Sequence, residues 1–69
     1  MWMSKKDLAE EYSISTRTVE RIISTIIRPR IGKGYPWDAT VDVGGRVRVD
    51  QDIFHDALTH RKEYELGLR

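Results

Sequence analysis

The stretch Asp7-Leu-Ala-Glu-Glu-Tyr-Ser-Ile-Ser-Thr-Arg-Thr-Val-Glu-Arg-Ile22 holds the end of one helix and the start of another, and its reading decides the architecture. Just ahead of it, Ser4 is a good N-cap, Asp7 stands at the capping-box position, and Met3 and Leu8 are placed as a hydrophobic staple. A first helix is therefore expected from Lys5 to about Glu11. Ser15 repeats the signal, with Ile14 and Val19 at the staple positions of a second helix. Between them lies a tight turn, Tyr12-Ser13-Ile14. Ala9 is the small residue at which two such helices can touch, and Leu8, Ile14, Val19 and Ile22 supply apolar groups at the offsets a packed pair requires. Ser13 occupies a turn position that favours glycine, so a somewhat widened turn is expected.

Working outward, Val19, Ile22, Ile23, Ile26 and Ile27 recur at helical spacing and define a buried stripe. The outer face of the second helix is then Thr16, Arg17, Glu20, Arg21 and Ser24. Pro29 disfavours helical geometry at Arg28, so the helix is expected to stop there and Arg30 to Pro36 to form a loop. From Ala39 to Val49 the chain alternates apolar and polar residues around Gly44-Gly45, the pattern of a β-hairpin. A two-residue loop would pair Val43 with Arg46 and split the valines between two faces. A three-residue tip, Gly44-Gly45-Arg46, would put Val41, Val43, Val47 and Val49 together, with Asp42 opposite Arg48, and that register is expected. Asp50 caps a third helix in which Ile53, Phe54, Ala57, Leu58, Arg61 and Tyr64 or Glu65 trace one face, whose apolar half should cover the valines, and which should end near Gly67. Tyr35 and Trp37, beside Pro36, read as core and loop packing rather than a platform for stacking a ligand. The expected order is helix, helix, strand, strand, helix, an α+β arrangement.

A chain of 69 residues that is 39% hydrophobic has material for one core, so residues 1–69 are read as a single domain of a few kcal/mol stability at most. Binding to a partner would add to that stability. The chain has no cysteine, which removes disulfides, thiolate metal sites and cysteine nucleophiles. No apolar run approaches the ~20 residues of a membrane span, and the charges of Met1-Trp-Met-Ser-Lys-Lys6 follow the apolar residues, unlike a signal peptide. A cytoplasmic protein with no membrane contact is expected. Neither His55 nor His60 has a serine or cysteine partner in a catalytic pattern, and no phosphate loop is present, so no enzyme activity, metal or cofactor is expected. Asp52, Asp56 and His60 share one helical face and read as a solvated surface.

Net charge is only +1, but its distribution is uneven. Residues 1–34 carry seven Lys/Arg against four Asp/Glu, a net of +3, and residues 35–69 carry five against seven, a net of −2. A basic half beside an acidic half presents one face to phosphates. The Asp7–Ile22 string resembles the helix-turn-helix of bacterial and phage regulators, with Ser13 as its departure from the usual pattern. In that reading Thr16, Arg17, Thr18, Glu20, Arg21 and Ser24 face the major groove of double-stranded DNA. Gly44 and Gly45 let the backbone approach a minor groove with Arg46 at the tip, Arg48 lies behind it, and Arg28, Arg30 and Lys33 reach backbone phosphate.

The order of elements, with Gly44-Gly-Arg-Val-Arg-Val-Asp50 as a wing before a closing helix, resembles the small winged helix-turn-helix excisionases of phages and integrative elements. More distantly it resembles the DNA-binding domain of MerR-type regulators. The resemblance implies an architectural factor of DNA recombination that binds repeated sites, bends DNA through cooperative copies of itself, and steers an integrase toward excision. A repressor of the same fold, acting in transcription regulation, and a protein-interaction module without DNA binding are the alternatives.

Overall fold

Ser4 accepts a hydrogen bond from the Asp7 amide at 3.1 Å and starts α1 (Lys5–Glu11) in a computed structural model that describes residues Met1–Arg69. Ser15 does the same for the Thr18 amide, also at 3.1 Å, and starts α2 (Thr16–Ile22). The turn between them is not widened. Ser13 itself takes the left-handed conformation, φ +54°, and the amides of Ile14 and Ser13 bond back to the carbonyls of Ala9 and Glu10 at 3.0 and 3.3 Å. That is the two-bond glycine-type helix stop, made here with serine.

The second helix runs past Pro29 rather than ending before it. After α2 comes a π-helical turn (Ile23–Ile27) and then α3 (Arg28–Arg30), with helical dihedrals at every junction. The Arg28 amide reaches the Ile23 carbonyl, five residues back. The wider turn relieves the clash that a proline ring otherwise makes with the preceding turn, and Pro29 has no N–H to strand. Ser24 and Thr25 hydroxyls both donate to the Arg21 carbonyl, at 3.2 and 2.6 Å, competing with the regular helical ladder where it widens. Arg30 then closes the end by donating to the Ile26 carbonyl at 3.0 Å.

A strand that the sequence does not announce, β1 (Trp2–Ser4), precedes everything else. It pairs antiparallel with β3 (Arg46–Asp50), which also pairs with β2 (Thr40–Val43), giving a three-stranded antiparallel sheet of order β1-β3-β2. The hairpin has a two-residue turn. Gly44 and Gly45 have φ of +58° and +79°, the geometry of the turn that follows strand twist best, and Val43 faces Arg46. The expected three-residue tip is thus corrected, and Arg48 lies opposite Val41 while Asp42 lies opposite Val47. Turn geometry overrides face segregation: Val49 is buried, whereas Val43 is 62% exposed on the other side of the sheet.

Asp50 accepts from the amides of Asp52 and Ile53 and starts α4 (Gln51–Thr59). The single third helix that the sequence suggests breaks at His60, and α5 (Arg61–Glu65) follows, with Gly67 at φ +73° just beyond its end. Leu8, Val19, Ile22, Ile23, Ile26, Ile27, Val49 and Phe54 are the large side chains of one core, to which Ala9, Tyr35, Ala39 and Ala57 also belong. The whole is an α+β arrangement whose order departs from the expected one by a strand in front, by the continuation of the second helix through a π turn, and by the division of the third helix at His60.

Candidate nucleic-acid interface

With the isoleucine stripe buried, α2 turns Thr16, Arg17, Glu20 and Arg21 outward, and Ser24 and Arg28 continue the exposed row. Arg17, Arg21 and Arg28 enter no ion pair or side-chain hydrogen bond. Three guanidinium groups along one ridge therefore stand without counter-charge. The other candidates on this helix have internal work. Thr18 is half-buried, with its hydroxyl 3.0 Å from that of the capping Ser15, and Ser24 donates to Arg21. The Glu20 carboxylate lies 3.9 Å from Lys5 Nζ, an exposed pair contributing at most about 1 kcal/mol.

Lys5 links this ridge to the hairpin. It lines a groove of about 310 Å³ together with Ser4, Lys6, Gly45, Arg46 and Val47. The β1–β3 pairing is what brings the first turn of α1 to the hairpin tip, since Ser4 sits opposite Arg48. Lys5 and Lys6 are thus part of the basic surface, although nothing in their local sequence pattern marks them. Their signal was the apolar pair Trp2 and Met3 ahead of a cap, too short to read as a strand.

The expected loop contacts separate. Arg46 is exposed near the tip and Arg48 is half-buried behind it. Arg30 and Lys33 line a different groove, of about 250 Å³, with Gly34, Tyr35, Tyr64 and Arg69. There Arg30 donates to the Tyr64 carbonyl at 3.4 Å and lies 4.4 Å from the centre of the Tyr64 ring, so it anchors α5 to the end of the long helix. Tyr35 is packed inside, as expected, and its hydroxyl donates to Asp56 Oδ2 at 2.8 Å. Tyr64 donates to the same oxygen at 2.7 Å. These phenols, Tyr64 first, outweigh burial and hold the Asp56 carboxyl below its ordinary value, with His60 adding to the effect. Burial, with hydrogen bonds to Tyr64 and Asp56, pushes the Tyr35 phenol far up.

Trp37 is 81% exposed, against its expected place in the packing. Its ring lies over Gly32, where an added Cβ would come within 2.6 Å of it. No three His, Cys, Asp or Glu side chains gather into a metal-ligand set, and no helix is long and apolar enough to cross a membrane. No family model, curated protein or solved structure matches this chain.

Proposed function

We propose that this chain binds double-stranded DNA as a small winged helix-turn-helix protein, with α2 in the major groove and the β2–β3 hairpin as a wing on the adjacent minor groove. The observation that carries the reading is the exposed row of Arg17, Arg21 and Arg28, none of them paired with a carboxylate. A solvated helix face in a chain with eleven acidic residues has partners available for its arginines, and these three use none. Bidentate guanidinium groups such as those of Arg17 and Arg21, one helical turn apart, with Arg28 about two turns further on, suit guanine edges and phosphates. The basic groove between α1 and the hairpin extends the same charge toward the wing.

Within that reading, an excisionase-like architectural role, with an integrase and neighbouring copies as partners, follows from the resemblance of the helix-turn-helix and the Gly44-Gly45 wing. So small a contact surface favours repeated sites over a single tight one. Bending of bound DNA distinguishes this role from that of a repressor.

The test is equilibrium binding to duplex DNA across a salt series, for the wild type and an Arg17→Ala, Arg21→Ala variant of unchanged circular dichroism. The wild type is expected to weaken linearly in log salt, and the variant to bind more weakly and to lose about 0.9 from that slope for each of the two arginines that meets phosphate rather than a base edge. A wild type that fails to bind at low salt makes the chain a protein-interaction module.

A further inference from the structure

We infer that Lys5 and Lys6, at the start of α1, and Arg46, at the hairpin tip, form a clasp for one backbone phosphodiester of the duplex. The inference rests on the DNA-binding reading and assigns a contact that neither the α2 ridge nor the wing supplies alone.

Three cations from two elements distant in sequence line a single groove, and Ser4, Gly45 and Val47 complete its walls. No carboxylate lines it. The one carboxylate within ion-pair distance of any of the three is that of Glu20, 3.9 Å from Lys5, and it belongs to the α2 ridge rather than to the groove. Lys6 and Arg46 have no ion-pair partner at all. Gathering like charges costs energy unless an anion joins them, and a groove of about 310 Å³ leaves ample room for a phosphodiester to enter. At Gly45 there is open space where a side chain would stand, so a sugar-phosphate strand can lie close to the turn.

The arrangement also fixes what each part does. The β1–β3 pairing, Met3 with Val49 and Ser4 with Arg48, holds the α1 start and the hairpin tip in one rigid piece. The clasp therefore sets the angle of the hairpin against the strand that α2 reads. Lys5 lies between Glu20 and the groove, so binding a phosphate there competes with the weak Lys5–Glu20 pair and frees the Glu20 carboxylate on the ridge.

Duplex binding across a salt series, for the wild type, Lys6→Ala, Arg46→Ala, the double variant and Lys62→Ala, tests the clasp. Lys62 is an exposed lysine on α5, outside the groove, and serves as a charge-matched control. Lys6→Ala and Arg46→Ala are each expected to weaken binding, and the double variant to lower the salt slope by no more than about 0.9, the share of the single phosphate they grip, with Lys62→Ala unchanged. Because both side chains grip one phosphate, the fold-loss of the double variant is expected to fall short of the product of the two single losses. Wild-type binding with Lys6→Ala no weaker than Lys62→Ala overturns the clasp alone, as do losses in the double variant that multiply fully. No binding by the wild type overturns the DNA reading and the clasp together.

Discussion

Ser13 is the only residue other than glycine with positive φ, +54°, and it sits at the hinge between α1 and α2. An L-residue there carries a backbone cost on the order of 1 kcal/mol that glycine does not. Ser13→Gly is accordingly expected to raise stability by about 0.5–1 kcal/mol, net of the extra freedom glycine gives the unfolded chain. For a chain of this size that is a rise of roughly 2–8 °C in Tm, read by thermal denaturation. The same residue shows what a pattern does and does not disclose. The caps Ser4 and Ser15 and the stop at Ser13 were legible because each acts within a few residues. The turn is tight where the sequence suggests a wide one, because residue preference ranks serine below glycine at such a position and says nothing of the packing of Ala9, Ile14 and Val19 around it. The arginines divide in the same way. Arg17 and Arg21 were placed correctly on the outer face by periodicity alone, whereas Arg30 turned inward because Tyr64, far along the chain, offers it a ring and a carbonyl.

At the level of elements, the hairpin records a contest between turn and face. Gly44-Gly45 forms a tight two-residue turn, and the register that follows exposes Val43 in order to keep it. Asparagine tolerates the conformation of Gly44, φ +58°, and nothing crowds the site. Gly44→Asn is therefore expected to stabilise the fold by about 0.5 kcal/mol by restricting the unfolded chain, seen as a higher denaturant midpoint at constant slope. The long helix shows a second override. Pro29 stops an α-helix, but a π turn at Ile23–Ile27 absorbs it, and the helix gains the turn that carries Arg28 and Arg30. No single-sequence signal distinguishes a proline that ends a helix from one that follows a π turn. β1 is silent in the sequence for a different reason: three residues, Trp2–Ser4, are too few for alternation to show, and their partners Asp50, Val49 and Arg48 are remote.

For the molecule as a whole, the hydrogen-bonded group of Tyr35, Tyr64 and Asp56 ties α4 and α5 to the loop after the long helix, and it makes stability depend on pH at both ends. Asp56 is held below its ordinary value of 3.8, so the stabilisation it provides is present above that pH and fades as acid brings the folded carboxyl to its own, lower value. Tyr35 is pushed up from an ordinary 10.0, so the unfolded chain ionises first, and stability falls as pH rises beyond about 10. A plot of Tm against pH should show a plateau between these limits, with Asp56→Asn flattening the acid limb and Tyr35→Phe the alkaline one. Retention of both limbs in the variants would remove the cluster as their cause. The radius of gyration, 11.2 Å, is that of a tightly folded chain of this length, about 11 Å. Yet the sheet that completes the fold joins its beginning to its later half, Met3 to Val49. Contacts so far apart in the chain close slowly, while α1 and α2 meet across a short turn. On the ribosome, therefore, Trp2–Ser4 wait for β3 to emerge before they find their partners, and the helical pair takes shape ahead of the strand that precedes it.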